Sequence, residues 1–287
     1  MSLSVWLEAT RPRTPPAAAA PVAVGTALAV GRGAAHWPAA IAALLGALLI
    51  QVGTNYANDY FDFVKGADTD ARVGPRRATQ AGLVQPAAMK AAFILAFAAA
   101  AAVGAYLIYR GGWPIVAIGV ASVASGVLYT GGPFPLGYNG LGDLFVWVFF
   151  GPVAVGGTVY VQTLELSTED LVIGGAFGLV STAILAVNNL RDADTDAPVG
   201  KRTLAVRFGK PFARIEYGVC LAAAILAPML YVDDRPWLLL LLVLAPFALF
   251  LTRAVAAREG ASLNPLLGAT GKFLLAFAAL FCGGWLL

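Results

Sequence analysis

The chain is poor in charged residues, cysteine and histidine. Of its 287 residues only 12% are charged and 59% are hydrophobic, whereas a soluble domain carries about 25% charge. Its two cysteines, Cys220 and Cys282, lie in apolar stretches, and the single histidine, His36, has no Cys or His beside it. These shortages argue against a water-soluble protein, a disulfide framework, and a metal site built on thiolates or imidazoles.

Long apolar runs separated by short polar loops predict a polytopic membrane protein. Each run is about 17–22 residues long, which suffices for a helix to cross a bilayer. We therefore predict an all-α fold with nine transmembrane helices in a single domain, residues 1–287. The first is expected to be a retained helix rather than a cleaved signal peptide. The predicted spans are Pro15–Val30, Pro38–Tyr56, Ala87–Ile108, Trp113–Tyr129, Leu144–Val161, Leu171–Asn188, Phe212–Tyr231, Trp237–Val255 and Leu266–Trp285.

Basic residues are distributed unevenly between the two sides of this topology. All but three of the 19 Lys and Arg residues fall on the side that holds the N-terminus, and the exceptions are Arg32, Arg110 and Arg235. Because basic loops stay on the cytoplasmic side, we predict a multi-pass protein of the cell (inner) membrane with a cytoplasmic N-terminus. We expect a lipid bilayer around it and no nucleic-acid partner.

The segment ADTDA occurs twice, at residues 67–71 and 193–197. The copies follow the second and sixth predicted spans, so both lie on the predicted cytoplasmic side. One loop of Asp, Gly and Arg would be ordinary turn chemistry under the charge bias. Two matching loops instead indicate a duplicated helical unit, whose halves usually meet around a shared site.

A row of Asn and Asp residues at helical spacing leads into each copy, and the second row ends within its copy. The rows are Asn55, Asn58 and Asp62, and Asn188, Asp192 and Asp196. Several carboxylates near helix ends repel one another unless a cation neutralises them. The donors are hard oxygens without His or Cys, which favours Mg²⁺ as the cofactor, with Mn²⁺ as an alternative.

Two alignments of the copies are possible, and they differ by about one helical turn. Aligning the rows pairs Asp62 with Asp192, whereas aligning the ADTDA segments shifts the pairing by four residues. Asp62 is therefore the first choice among the acids of the first copy, followed by Asp68 and then by Asp59 and Asp70. Asp62 and Asp192 are the predicted catalytic acids.

Basic residues follow both acidic rows. Carboxylates, a divalent cation and Arg or Lys side chains together suit a diphosphate. We predict that the two copies are two clamps on one diphosphate. The predicted diphosphate-binding residues are Lys65, Arg72, Arg77, Asn188, Lys201 and Arg202.

Four blocks of the chain resemble a known family. NDYFDFVKGADTDARVGPRRATQAG and NNLRDADTDAPVGKRTLAVRFG are similar to the two Asp-rich motifs of the UbiA superfamily of intramembrane prenyltransferases. WLEATRPRTPPAAAAPVAVGTALA and LYTGGPFPLGYNGLGDLFVWVFFG resemble its menaquinone branch. In the 4-hydroxybenzoate branch a Tyr is followed four places later by Lys, but here Tyr129 is followed by Pro133. This departure favours a naphthoate acceptor.

The resemblance implies nine helices around a central cavity, with Mg²⁺ bridging the two Asp motifs to an allylic polyprenyl diphosphate. The acceptor would be 1,4-dihydroxy-2-naphthoate, prenylated with loss of CO₂ to give demethylmenaquinol. By position, the metal ligands would be Asn58, Asp62, Asp68, Asp192 and Asp196. The expected cavity residues are Asn55, Tyr129 and Tyr138, with Phe145, Trp147 and Phe149 as further candidates.

Two other interpretations remain open. A different branch of the superfamily would prenylate 4-hydroxybenzoate, homogentisate, haem or a glycerol phosphate. A cation-coupled transporter would also carry intramembrane Asn and Asp rows. Against a transporter, the acids cluster at one membrane face beside Arg and Lys rather than at the midplane.

Overall fold

The computed structural model describes residues 3–12, 14–67 and 73–287, and across these ranges it is helical without strands. Four short 3₁₀ helices, at Gly137–Asn139, Ala227–Tyr231, Pro236–Leu244 and Gly260–Leu263, interrupt or extend the α-helices. The α-helices are α1 (Leu3–Ala9), α2 (Pro15–Gly31), α3 (Trp37–Val64), α4 (Pro86–Gly111), α5 (Trp113–Leu128), α6 (Gly142–Phe150), α7 (Pro152–Thr163), α8 (Thr168–Asp196), α9 (Leu204–Phe208), α10 (Lys210–Leu226), α11 (Ala245–Ala256) and α12 (Asn264–Leu286).

The helices account for the predicted membrane spans. Within the described ranges, seven helical segments are long and apolar enough to cross a bilayer, and α2 and α5 are shorter apolar helices. Together they match the nine predicted spans, and the all-α fold is confirmed. Large apolar side chains such as Tyr109, Trp113 and Val243 are exposed on the outside of the bundle. A surface of this kind suits contact with lipid.

The two helices that carry the acidic rows extend well beyond the predicted ends of their spans. The predicted spans end at Tyr56 and Asn188, but α3 continues to Val64 and α8 to Asp196. The apolar run stops at the first polar residues, yet polar residues spaced by four still share one face of a continuing helix. Asp62 and Asp192 therefore both lie within helices, near the ends of α3 and α8.

The fifth predicted span is two helices, α6 and α7, broken at Gly151 and Pro152. Proline lacks the N–H that a continuous helix needs. The break also lets α8 approach closely, because a Cβ on Gly151 would lie 2.7 Å from the main-chain oxygen of Gly174. Trp147 of α6 donates from its indole to the Gly175 oxygen at 3.1 Å, so it takes part in this helix packing.

The bundle is built around α8. Within an apolar stretch of 18 residues in α8, 72% of the residues are buried. The corresponding stretch of α4 is only 17% buried, so α4 lies at the periphery. Phe177 of α8 packs its ring against Phe277 and Phe281 of α12. The acidic row of α8 is thus held at the end of the most enclosed helix.

The three basic residues that break the charge bias lie at the end of the bundle opposite the acidic rows. Arg32 pairs with Asp170 at the start of α8, with an N–O distance of 2.6 Å. This hydrogen bond, opposed by burial, raises the pKa of Arg32. Arg110 donates to the main-chain oxygens of Val161 and Gln162 at the end of α7. The distribution agrees with the predicted partition of charge between the two sides.

Candidate functional site

Asp62, near the end of α3, is the centre of the polar cluster. Its buried carboxylate accepts hydrogen bonds from Nη2 of Arg77 at 2.7 Å and from the hydroxyl of Tyr138 at 2.8 Å. Lys201, which follows α8, approaches the same carboxylate to 3.5 Å. The acid of the first row is therefore surrounded by donors from both halves of the chain.

Lys201 joins the two acidic rows. Its ammonium lies 3.5 Å from Asp62 and 3.8 Å from Asp196, so one cation stands between a carboxylate of α3 and a carboxylate of α8. The ring of Tyr138 lies beneath two such cations, Lys201 at 4.9 Å and Lys65 at 5.1 Å. Lys65 also donates to the main-chain oxygen of Gly132 at 3.1 Å. One lysine from each half of the chain therefore contacts the Tyr138 ring.

Asp192 is held by its sequence neighbour Arg191. The guanidinium contacts both carboxylate oxygens, with Nε at 2.7 Å and Nη2 at 2.5 Å. It also donates to Asn188 at 2.8 Å and to Asn264, at the start of α12, at 3.0 Å. Asn264 in turn donates to the main-chain oxygen of Val73 at 3.3 Å. This network ties the second row to the ninth span and to the loop after α3.

Sequence reasoning did not identify Arg191 or Asn264 as functional residues. In the segment NNLRD an Arg stands directly before a predicted metal ligand. This was a usable signal for a functional Arg, because Arg binds carboxylates through two parallel bonds. No signal in the sequence singled out Asn264, which lies 73 positions from Arg191. Its role follows only from the packing of α12 on α8.

The remaining polar residues of α3 are engaged in distinct contacts. Asn58 accepts a hydrogen bond from Thr130 at 2.9 Å. Asp59 accepts from the main-chain N–H groups of residues 78 and 79, each at 3.0 Å, and thereby shapes the loop after α3. Asn55 donates to the main-chain oxygen of Thr10 at 2.9 Å and anchors the N-terminal segment. A contact between Asn55 and a substrate stays a prediction.

Tyr129 lies at the end of α5 and is enclosed by the glycines of GYNGLGD. A Cβ on Gly137 would lie 2.9 Å from its ring, and a Cβ on Gly142 would lie 2.9 Å from its hydroxyl. Gly140 between them has a φ of +72°, a conformation that side chains with a Cβ rarely adopt. The spacing of these glycines thus fits a loop folded closely around one phenol ring.

The structure brings together one part of the predicted site and separates another. The residues around Asp62 are Lys65, Arg77, Tyr138, Asp196 and Lys201. Asn188 and Asp192 belong to the Arg191 network. Arg202 has an exposed side chain, and its main-chain N–H donates to the main-chain oxygen of Tyr138 at 2.7 Å. Asp68 and Arg72 lie outside the described residues.

The donor set around Asp62 suits a magnesium ion that is bound by only one or two protein carboxylates. In the parts of the chain that the structure describes, no group of three or more His, Cys, Asp or Glu could hold a metal ion by itself. Asp62 and Asp196 instead offer two carboxylates from different helices, with a lysine ammonium between them. Mg²⁺ typically takes one or two protein carboxylates and completes its shell with water and substrate phosphate. The residues present are compatible with that arrangement.

Comparisons with known proteins identify the family of the chain. The UbiA prenyltransferase family model matches residues 18–276. The 1,4-dihydroxy-2-naphthoate octaprenyltransferase of Mycobacterium tuberculosis is 41% identical over 98% of this chain and 97% of its own. The Escherichia coli protein of the same name is 37% identical over 97% and 94%.

A solved structure extends the likeness to the fold. A UbiA homologue from Archaeoglobus fulgidus, bound to DMAPP and Mg²⁺, aligns with a TM-score of 0.68 at 16% identity. The alignment covers 97% of this chain and 99% of that one. With the family model matching most of its length, the chain belongs to the UbiA prenyltransferase family.

Proposed function

We propose that this protein transfers a polyprenyl group from an allylic polyprenyl diphosphate to 1,4-dihydroxy-2-naphthoate. CO₂ and diphosphate leave, and the product is demethylmenaquinol. The observation that carries the proposal is the meeting of Asp62 and Asp196 around Lys201, beside Lys65 and Arg77. Acids and bases from two halves of the chain thus converge on one place where a diphosphate and its metal would fit.

The chain's own residues bind and hold the diphosphate in this proposal. Lys65, Lys201 and Arg77 supply positive charge, and the Tyr138 ring fixes the two lysines through cation–π contacts. Asp62, Asp192 and Asp196 are the acids that would hold Mg²⁺. When bound, Mg²⁺ supplies positive charge that neutralises the departing diphosphate. Charge placed where the transition state develops charge is often the largest catalytic contribution.

The acceptor assignment is supported by the relatives and by one departure in the sequence. Relatives covering nearly the whole chain are named as naphthoate octaprenyltransferases. Tyr129 is followed by Pro133 rather than by Lys four places on. Apolar residues around the ring site would exclude water, which otherwise competes for an allylic cation. The length of prenyl chain that this protein transfers is measured by varying the diphosphate substrate in the assay.

The test is an assay on the purified protein in detergent or nanodiscs. Mg²⁺, 1,4-dihydroxy-2-naphthoate and prenyl diphosphates of several lengths are supplied, and lipid products are identified by mass spectrometry. We expect a prenylated naphthoquinol and stoichiometric diphosphate. A prenylated product from 4-hydroxybenzoate or homogentisate alone would overturn the acceptor. Cation uptake by the protein in sealed liposomes, without any product, would favour a transporter.

We also propose that both acidic rows face the cytoplasm, on the basis of the charge bias. A single cysteine at Thr195 is introduced into a chain in which Cys220 and Cys282 are replaced by Ala. An impermeant thiol reagent should leave it unlabelled in intact cells and label it after permeabilisation. Labelling in intact cells would reverse the orientation.

A further inference from the structure

Asp143, the second residue of α6, has a buried carboxylate that the arrangement around Asp62 does not use. The residue is 6% exposed. In the described part of the chain neither carboxylate oxygen accepts a hydrogen bond from another residue. Burying a carboxylate without such donors is costly, and native buried polar groups almost always have partners. A group in this position calls for a ligand that donates a hydrogen bond.

The surroundings of Asp143 place it beside Tyr129. The preceding residue, Gly142, packs against the Tyr129 hydroxyl. The phenol of Tyr129 lies within electrostatic range of Asp143 and of Asp62.

Asp143 lies deeper in the bundle than the acidic row of α8. Its main-chain oxygen accepts a hydrogen bond from Thr182 of α8 at 3.4 Å. Thr182 precedes Asp192 by ten residues, or about 15 Å along a helix. Asp143 is also within electrostatic range of Glu216 and Cys220 on α10, both of which are acids and cannot neutralise it. This depth is where we place the acceptor ring, beyond a diphosphate held between the acidic rows.

We propose that Asp143 binds a ring hydroxyl of the aromatic acceptor and accepts its proton during prenyl transfer. The inference rests on the proposed function and deepens it. A carboxylate that accepts no hydrogen bond from another residue is available to a phenolic O–H of the acceptor. Withdrawing the hydroxyl proton raises the electron density of the ring carbon that attacks the allylic group.

The step balances without an added reactant. The ring carbon bearing the carboxylate forms a C–C bond to the allylic carbon, whose C–O bond to diphosphate breaks, while the hydroxyl proton moves to Asp143. The carboxylate then leaves as CO₂, and its bonding electron pair returns to the ring. The ring oxygen takes the proton back from Asp143. The carboxylate of Asp143 is regenerated, and the product is the aromatic quinol.

The experiment compares Asp143→Asn with the wild type and with Asp234→Asn, an exposed loop acid at the far end. General base catalysis contributes about 10²–10⁴-fold, so turnover of the naphthoate should fall by that factor in Asp143→Asn. Mg²⁺-dependent binding of prenyl diphosphate should change by less than about twofold. The thermal midpoint should stay the same or rise, since an unpaired buried charge has been removed. Asp234→Asn should match the wild type throughout.

A second measurement does not depend on a folded variant. The wild type is given two methyl ethers of the acceptor, one blocking the hydroxyl at C1 and one blocking that at C4. Methoxy groups still donate electrons to the ring but carry no proton. Only the hydroxyl at C1 is conjugated with the carboxylate-bearing carbon, so we expect the C1 ether to lose at least about a hundredfold in kcat/KM.

The outcomes separate the two proposals. Near-native turnover by folded Asp143→Asn, or normal turnover of the C1 ether by the wild type, overturns the role of Asp143 and leaves the proposed function standing. Parallel loss of thermal stability and of prenyl diphosphate binding would make Asp143 a structural residue. Failure of the wild type to prenylate the naphthoate at all overturns the proposed function instead.

Discussion

Asp59 and Asp62 are two buried carboxylates within one turn of α3, and the structure predicts opposite roles for them. Asp62 contacts Arg77, Tyr138 and Lys201. Asp59 accepts only main-chain N–H groups of the following loop among its hydrogen bonds in the described part of the chain. Replacing each by Asn, which keeps the size and removes the charge, tests which acid serves catalysis.

Both substitutions should reduce stability by similar amounts. Asn at position 59 can accept one of the two N–H groups, and the other loses its acceptor at a cost of about 1–3 kcal/mol. Asn at position 62 loses a charge-assisted bond to Arg77 or Tyr138, also about 1.5–3 kcal/mol. Thermal unfolding in detergent should therefore show a comparable decrease in Tm for the two variants.

Their activities should differ widely. Asp62→Asn removes a charge that would hold Mg²⁺ against the diphosphate, and we expect at least about a thousandfold loss of turnover, or ~4 kcal/mol of barrier. Asp59→Asn should keep turnover within about threefold per folded molecule. Prenyl transfer is measured by mass spectrometry and normalised to the folded fraction. Equal activity losses in the two variants, or Asp62→Asn retaining a tenth of wild-type turnover, would refute this division.

Three further predictions concern the metal, Arg191 and Tyr138. EDTA should abolish prenyl transfer, and Mg²⁺ or Mn²⁺ should restore it; unchanged turnover after exhaustive chelation would exclude the metal. Arg191→Lys cannot keep both bonds to Asp192, so the Mg²⁺ concentration for half-maximal rate should rise about 10–100-fold, whereas no shift would make Arg191 purely structural. Tyr138→Phe keeps the ring over the lysines and Tyr138→Leu removes it. The Leu variant should therefore have a higher KM for prenyl diphosphate than the Phe variant, by a factor that corresponds to up to about 2 kcal/mol for each lost cation–π contact. Equal KM values for the two variants would contradict the contact.

The membrane architecture and the acidic rows could be predicted because both depend on local features of the chain. A span needs only a long enough apolar run, and residues spaced by four share a helical face wherever the helix lies. The ends of α3 and α8 were predicted too early for the same reason. Hydropathy falls at the first Asn, whereas the helices continue to Val64 and Asp196 because their polar faces are paired within the protein.

Tertiary structure decided which of these side chains meet. The sequence placed Asp62 and Asp196 in rows that follow different spans, but only packing brings Lys201 between them and Tyr138 onto Asp62. Helical spacing defines the direction of a side chain around its own axis and carries no information about the neighbouring helix. The contact of Arg191 with Asn264 and the isolation of the Asp143 carboxylate both arise between segments distant in sequence. Such features depend on how the spans pack around α8, and no local pattern in the chain encodes them.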